Sequence, residues 1–525
     1  MSLAVVPSCA LAGLTIHRIQ IEVHVSPGLP AFTIVGLPDT SVRESRERVR
    51  AALLSSGYNF PSARITVNLA PAELPKEASH FDLPIALGVL LASGQLETNV
   101  FPPSTSSSST TLTRLLQTAV FLGELSLTGV IMPLAAPLAV AVGLSQAQIP
   151  HLIVPQSNAK EMALVSALCV YGASSLQALV QDLLTADLEP TSALPLEINP
   201  AKSSELCFSD VQGQQQAKYG LFVAAAGGHN VLMKGPPGVG KSMLAQRFIG
   251  LLPPLSREAM LEVAAIWGIA GVAHTGYSLT PPFRAPHHTS SMAALIGGGV
   301  KPRPGEISLA HHGVLFLDEV AEFKREVLES LREPLESHCV NIARAYHRVQ
   351  YPAKFQLLAA MNPCPCGWYG HATQACVCRP EQIRRYAHKL SGPFLDRLDM
   401  HILLSTEALS FSAGSDQPST SKHTINPPGS LEWHSFSLKE RVACAQAHQL
   451  RRQGCLNAVL APAQFAEHLH LSTVAQARLE QAANKWSWSR RTVHRIQRVA
   501  RTLADLAEAP VIQTEHLMQA ISYRL

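Results

Sequence analysis

With 525 residues, 47% of them hydrophobic and only 6% aromatic, the chain is too long for one ordinary core and too apolar to be disordered; a length prior suggests roughly three domains. Its formal charge of +4 excludes reading a nucleic-acid partner from net charge alone, so any basic surface has to be found locally. The first residues lack the positive region and long apolar core of a secretory signal, and the most apolar run, Ile131 to Leu144, spans 14 residues where a bilayer needs about 20. A cytoplasmic protein with no membrane partner is expected, its ten cysteines reduced or ligating metal.

Residues 1–185 alternate β-like runs (Ile16 to Val25, Ala31 to Val35, Arg64 to Asn68, His151 to Val154) with helical stretches (Ser41 to Ser56, Asp82 to Ser93), the pattern of an α/β domain. A Ser/Thr tract at Ser104 to Thr111 reads as a surface loop, and residues 186–205, rich in Pro, Ser and Thr, as a linker. Residues 206–405 again alternate strand and helix signals. A second linker follows at 412–430, and residues 431–525 are helical by period, with Arg441, Cys444, Ala445 and His448 at helical spacing.

Within 206–405, an apolar run (Val231 to Met233) leads into Gly235-x4-Gly240-Lys241-Ser242, and a helical pattern follows. Glycines in such a loop let backbone N–H groups close around phosphates, and the helix N-terminus adds its positive end. Gly235, Pro236, Pro237, Gly238, Val239, Gly240, Lys241, Ser242 and Met243 are the candidate ATP-binding residues; Lys241 reaches the β- and γ-phosphates and the Ser242 hydroxyl holds Mg2+. Further on, Val314 to Leu317 reads as a buried parallel strand that delivers Asp318 and Glu319 to the carboxyl edge of a sheet, where ligands bind. Asp318 would orient Mg2+ and Glu319 would polarise the attacking water; two acids after a strand also serve as a helix cap, and it is the phosphate loop that favours the catalytic reading. A third apolar run, Phe355 to Met361, ends in Asn362, which could contact the γ-phosphate or the water. Arg397, after a short helical turn, could be offered to a neighbour's γ-phosphate, making hydrolysis depend on assembly; the alternative is a surface ion pair with Asp396 or Asp399.

Cys364, Cys366, Cys376 and Cys378 place four thiols within fifteen residues (364–378). Four thiolates can close a tetrahedral Zn2+ site and stiffen a loop that has no core of its own; an iron–sulfur cluster, a redox pair or buried thiols are the alternatives, and His371 could replace one thiol. Loops that offer cations for phosphates and flat rings for bases are the candidate nucleic-acid contacts. Residues 340–350 read as a hairpin with Arg344, Tyr346, His347 and Arg348 near its tip, and Lys301 and Arg303 lie in a Gly/Pro-rich loop; plain solvated loops are the competing reading. Lys485 to Arg501 holds six Lys or Arg and no acid, with Arg491, Arg495 and Arg498 on one helical face.

These motifs, together with Pro282-Phe-Arg-Ala-Pro-His-His-Thr-Ser-Ser, Leu295-Ile-Gly-Gly-Gly, Glu329-Ser-Leu-Arg-Glu-Pro-Leu-Glu, Met361-Asn-Pro-Cys-Pro-Cys-Gly and Arg498-Val-Ala-Arg-Thr-Leu-Ala-Asp-Leu, resemble the magnesium-chelatase-like AAA+ proteins of bacteria, in particular the ComM/YifB family, over nearly the whole chain. The resemblance implies an α/β fold: a Lon-protease-like (S5-like) α/β domain, a P-loop AAA+ core carrying the four-cysteine insert, and a C-terminal helical lid. It also implies a ring-shaped homohexamer, and an ATP-driven helicase acting on single-stranded and branched DNA to promote branch migration in natural transformation. By it Asn362 takes the first-sensor role, Arg397 the arginine-finger role, and Arg491, ahead of Arg495, the second-sensor role. In the first domain, Pro75-Lys-Glu-Ala-Ser-His-Phe-Asp resembles the segment that carries the serine nucleophile of Lon-type proteases, but the nucleophile position falls on His80, with Ser79 one place off. An activated serine needs a base within hydrogen-bond reach, so a non-proteolytic scaffold is expected. A metal-chelatase subunit and a protein-remodelling or Lon-like machine are the competing functional readings.

Overall fold

Two long strands, Ser2–Ala12 and Thr15–Ser26, open the chain as an antiparallel hairpin whose register runs from Ser2 opposite Val25 to Ala12 opposite Thr15. A two-residue turn closes it, with Gly13 at φ +69°, the left-handed geometry that tight hairpin turns demand. The sequence pattern announces only the second of these strands. Pro7 and Ser8 interrupt the alternation of the first, and pairing with its partner supplies what local propensity lacks. The computed structural model describes residues 2–37, 39–73, 79–96, 115, 118–185, 187–193, 206–272, 277–299, 302–343, 348–405 and 433–524. The Ser104–Thr111 tract, the linker at 412–430 and most of 186–205 therefore lie outside the described residues.

Arg64–Ala70 pairs antiparallel to Thr15–Ser26, and Ala31–Val35 pairs parallel to Arg64–Ala70, giving a four-stranded mixed sheet. The helix Asp82–Ala92 is buried nearly all round because it lies on this sheet; Gly88 approaches Val23 so closely that a Cβ there would come within 2.5 Å of a Val23 methyl. At its start the fully buried Asp82 accepts from Arg48 Nε (2.6 Å) and Nη2 (3.1 Å) and from the Leu125 backbone N–H (3.2 Å). Burial pushes the Asp82 carboxyl up, and the Arg48 guanidinium opposes it. A second, parallel sheet, Ala119–Phe121, His151–Pro155 and Cys169–Ala173, completes this region with the helices Pro137–Gln146, Gln156–Met162 and Leu176–Thr185. The apolar run from Ile131 divides into the short strand Ile131–Met132 and the helix Pro137–Gln146. Among the described residues, no helix is long and apolar enough to cross a membrane.

The second region is built on a five-stranded, all-parallel sheet in the order Phe283–Arg284, Val314–Leu317, Gln356–Met361, Val231–Lys234, Met400–Leu403. The strands Val314–Leu317 and Gln356–Met361 are buried at every position and apolar but for Gln356, as expected where helices cover both faces. Two small hairpins project from it: Gly297–Gly298 with Arg303–Pro304, and Cys339–Ala343 with Arg348–Pro352. The C-terminal helices Ser435–Gln453, Thr473–Lys485, Arg490–Leu506 and Thr514–Ser522 share one core with this sheet, centred on the buried helix Gln215–Gly227.

The N-terminal region is not an independent body beside the parallel sheet. Helix Arg257–Ala270 contributes Met260, Leu261, Ala264, Ala265 and Ile266, beside Leu309, to a core built mostly from N-terminal residues such as Leu138, Leu144, Leu152 and Val170. The same helix is pinned to the sheet region: Glu262 Oε2 lies 2.7 Å from His312 Nε2 and 3.3 Å from His311 Nε2, and these hydrogen bonds hold its carboxyl down at about 2. His311 Nδ1 accepts the Lys354 N–H (3.0 Å), so Nε2 carries the proton, which suits a carboxylate and not a metal ion.

Replacing Arg48 with methionine leaves Asp82 buried without its countercharge. The expected loss of unfolding free energy is about 3 kcal/mol, read by denaturant titration, with the Asp82→Asn, Arg48→Met pair recovering part of it.

Candidate nucleotide-binding site

The strand Val231–Lys234 ends at the carboxyl edge of the parallel sheet, and residues 235–240 turn back into helix Lys241–Phe248. Gly238 and Gly240 adopt φ +77° and +94°, and a Cβ at either would meet nothing within 4 Å, so the loop's concave side is open backbone. Backbone N–H groups and a helix N-terminus facing an open hollow fit a polyphosphate. At its centre the buried Lys241 ammonium donates to Gly235 O (2.8 Å), Pro236 O (2.9 Å) and Asn362 Oδ1 (2.9 Å). Burial lowers the Lys241 pKa while Asp318 and Glu319 pull it back up.

The neighbouring strands bring the remaining groups. Ser242 Oγ donates to Asp318 Oδ2 at 2.5 Å, and Asp318 Oδ1 accepts the Glu319 N–H at 2.9 Å. A hydroxyl and a carboxylate oxygen this close, beside a phosphate loop, fit the hard-oxygen ligand set of Mg2+. Glu319 has φ +49°, an uncommon conformation for a residue with a side chain, and its exposed carboxylate lies 3.5 Å from His288 Nδ1. His288 packs against His287, with ring centroids 4.1 Å apart and the planes tilted, and comes from the loop after Phe283–Arg284. The sequence pattern quotes this histidine as part of a motif without giving it a role; only the sheet order, which lays Phe283–Arg284 beside Val314–Leu317, reveals its partner.

Arg397 sits at the other end of the sheet. Asn230, just before Val231–Lys234, donates through Nδ2 to Arg397 O (3.1 Å) and through its own carbonyl accepts Asp399 N–H (2.9 Å). The four-residue strands that follow separate this edge from the phosphate loop by about 13 Å of chain. The Arg397 guanidinium is largely buried, pairing with Glu336 Oε1 (2.6 Å) and donating to Pro393 O (2.8 Å), while its Nε has no partner. Glu336, and not the adjacent Asp396 or Asp399, is thus its ion-pair partner.

Of the basic residues on helix Arg490–Leu506, Arg491 is exposed on the first turn. Arg495 pairs with Asp399 at 3.4 Å, at the same amino edge as Arg397; Arg498 donates to Leu460 O, and Arg501 to Asp505, Ala509 O and Pro510 O. Most of the basic face therefore holds the C-terminal helices together and onto the sheet.

The four cysteines converge. Cys364 Sγ lies 3.4 Å from Cys366 Sγ and 3.6 Å from Cys376 Sγ, Cys366 and Cys376 are 3.5 Å apart, and all four sulfurs, Cys378 included, lie within 4.8 Å of one another. A regular tetrahedron with metal–sulfur bonds of about 2.3 Å has edges of roughly 3.8 Å, so the four residues fit Zn2+. The Tyr369 N–H donates to Cys364 Sγ (3.3 Å), and backbone hydrogen bonding, Trp368 first, holds the Cys366 thiol at about 6. His371 is outside the cluster: its Nδ1 accepts the backbone N–H groups of Thr373 and Gln374. The cysteine loop also rests on the phosphate loop, since a Cβ at Gly367 would come within 2.5 Å of Pro237 Cδ.

Of the residues nominated for DNA, Lys301, Arg344, Tyr346 and His347 lie outside the described residues. Arg303 and Arg348 are exposed on the two small hairpins. Those hairpins form one unit: Tyr351 donates its hydroxyl to Pro302 O (2.7 Å), and Gly297 packs against Ile342. In the N-terminal region, Ser79 donates its hydroxyl to the Glu124 carboxylate, and the half-buried His80 bonds Cys9 O at 2.8 Å through Nε2. Ser79 thus meets a carboxylate and His80 a backbone carbonyl; neither contact is with a lysine.

The Gly367–Pro237 contact gives a direct test. Gly367→Ala forces a methyl group onto Pro237 at a φ of +87°; nucleotide affinity or turnover is expected to fall about ten-fold while metal content stays unchanged, as measured by fluorescent-nucleotide titration and elemental analysis.

Three family models match segments of the chain. The family model described as "Magnesium chelatase, subunit ChlI" matches residues 207–410, "Subunit ChlI of Mg-chelatase" matches 21–158, and "Magnesium chelatase, subunit ChlI C-terminal" matches 432–524. The chain is 42% identical to an uncharacterized protein, YifB, of Salmonella typhimurium over 100% of its own length and 97% of that protein. It is 41% identical to the competence protein ComM of Haemophilus influenzae over 100% of its length and 98% of that protein. A segment covering 30% of the chain is 26% identical to Lon protease 2 of Bacillus subtilis, 33% of which it spans. With a phosphate loop, an acidic strand end and full-length identity of this order, the chain belongs to the ComM/YifB family of magnesium-chelatase-like ATPases.

Proposed function

We propose that the protein is an ATP-driven DNA motor that works as a homo-oligomeric ring, a hexamer by family resemblance, and promotes branch migration of incoming DNA during natural transformation. The observation that carries the reading is the division of the site between two edges of one sheet. Lys241, Ser242, Asp318, Glu319 and Asn362 gather at the carboxyl edge, whereas Arg397 lies at the amino edge, out of reach of its own phosphate loop.

The chain's groups take the following roles. Gly235 through Met243 bind the ATP phosphates through backbone N–H groups, and Lys241 exchanges its loop carbonyls for the β- and γ-oxygens. Ser242 and Asp318 hold Mg2+, which supplies charge neutralisation on the transferred phosphoryl group. Glu319 orients and polarises the attacking water once it leaves His288, and Asn362, hydrogen-bonded to Lys241, senses the γ-phosphate. Arg397, released from Glu336, reaches into the neighbouring subunit's site, and exposed Arg491 serves as the second sensor. Cys364, Cys366, Cys376 and Cys378 hold Zn2+, which supplies a rigid cross-link beneath Pro237. Arg303 and Arg348, together with Lys301, Arg344, Tyr346 and His347, face DNA. The regions 1–185, 206–405 and 431–525 act as Lon-like scaffold, AAA+ motor and helical lid.

The name of the Haemophilus influenzae relative, a competence protein, supports a role in the handling of acquired DNA. Against a proteolytic reading stand His80 at the position of the nucleophile and a carboxylate, not a lysine, as the partner of Ser79.

On a labelled three-strand DNA junction, the wild-type protein is expected to release a strand with ATP, and Lys241→Ala to release none. DNA-independent ATPase without strand release would shift the reading to a chelatase-type or protein-remodelling machine. Purified protein is expected to contain about one equivalent of zinc per chain, reduced at least several-fold in Cys366→Ser; wild-type protein with well under one equivalent would contradict the zinc assignment.

A further inference from the structure

A two-stranded hairpin is marginally stable by itself and holds a fixed position only if something packs against it. The hairpin Cys339–Ala343/Arg348–Pro352 buries Val340, Ile342, Val349 and Tyr351 on one side. Its backbone is met by a part of the chain more than three hundred residues away. The turn between Ser2–Ala12 and Thr15–Ser26 abuts it so closely that a Cβ at Gly13 would lie 2.5 Å from Gln350 O and 2.8 Å from a Val349 methyl. Gly13 also has φ +69°, so both the contact and the backbone conformation demand glycine.

The same turn is seated from behind. Gly143, on helix Pro137–Gln146, packs on Leu14 O, where a Cβ would come within 2.6 Å. That helix lies in the core shared with helix Arg257–Ala270. Two polar contacts fasten this junction: Arg257 Nη2 donates to Leu164 O (3.0 Å), and Tyr277 OH to Glu161 Oε1 (3.3 Å). Among the described residues, the N-terminal region thus stands on both the Arg257–Ala270 helix and the Val349–Gln350 backbone, joined through Gly143, Leu14 and Gly13.

We infer that the N-terminal region is a brace for the 339–352 hairpin, and that Gly13 is the positioning residue through which it sets that hairpin's place. Close-packed backbone contacts transmit displacement because they cannot be compressed. The brace stands on geometry alone; its consequence for DNA rests on the function proposed above.

The test uses full-length protein and two substitutions. Gly13→Asn tolerates the positive φ but drives a side chain onto Gln350, whereas Gly57→Asn, at φ +84° with nothing within 4 Å, carries the same backbone demand without the collision. Amide hydrogen exchange of peptides covering 348–352 is expected to rise about ten-fold in Gly13→Asn, with helix Lys241–Phe248 and basal ATPase unchanged, and not to rise in Gly57→Asn. Stimulation of ATPase by a single-stranded oligodeoxynucleotide is expected to drop several-fold in Gly13→Asn only. Unchanged hairpin exchange in folded Gly13→Asn overturns the brace, as does an equal rise in Gly57→Asn. If wild-type ATPase ignores DNA while Gly13→Asn still loosens the hairpin, the brace stands and the DNA reading falls. Should Gly13→Asn fail to fold, Gly13→Ala places a single methyl on the same contact and is read in the same way.

Discussion

The Lys241 ammonium is held by three oxygens, two from the loop that it closes and one from Asn362, just past the end of a strand more than a hundred residues further on. That contact ties the phosphate loop to the end of the strand Gln356–Met361, and through it to everything that strand carries next. Three residues after Met361 comes Cys364, the first of the four clustered thiols, and three further on comes Gly367, lying against Pro237 of the same loop. The cation is therefore enclosed between two chain segments whose relative position is fixed on both sides. In the proposed motor, a rigid loop of this kind keeps donors aimed at the phosphates before nucleotide arrives, which is where electrostatic catalysis gains most.

The parallel sheet imposes the second constraint. All of its strands run one way, so residues at their beginnings and residues at their ends lie on opposite edges. The phosphate loop and its acids occupy one edge; Arg397, Asp399 and Arg495 occupy the other. A single subunit cannot bend Arg397 round to its own loop without breaking the sheet, whereas a neighbour can present it. Within the single chain Arg397 is satisfied by Glu336, and His288 stands 3.5 Å from Glu319. Both are contacts a working seam would exchange for others, and both couple hydrolysis to assembly in the proposed function.

What the sequence made legible follows from this geometry. The phosphate loop, the strand ending in Asp318 and Glu319, and the four cysteines are contiguous motifs, in which the spacing itself dictates the contact. The strands Thr15–Ser26, Ala31–Val35, Arg64–Ala70 and His151–Pro155 and the helix starting at Asp82 were readable from local pattern for the same reason. What was not legible depends on pairs far apart in the chain: Ser2–Ala12, stabilised by its partner strand; Glu336 against Arg397; His288 against Glu319; Gly367 against Pro237; and Gly13 against Gln350. Arg495 and Arg498 read as part of one basic face, yet their charges go to Asp399 and the Leu460 carbonyl, an inward turn that periodicity alone does not disclose.

The central claim is that the fuel site is shared between subunits, and mixing two damaged proteins tests it most directly. Glu319→Gln and Arg397→Ala lesions fall on opposite sides of each seam, so either protein alone should have no intact site. In rings assembled from an equal mixture, about a quarter of the seams should pair an intact Glu319 with an intact Arg397, and ATP hydrolysis should return to a corresponding fraction of the wild-type rate. A mixture no more active than either parent, or an Arg397→Ala protein that hydrolyses ATP at the wild-type rate, would contradict it.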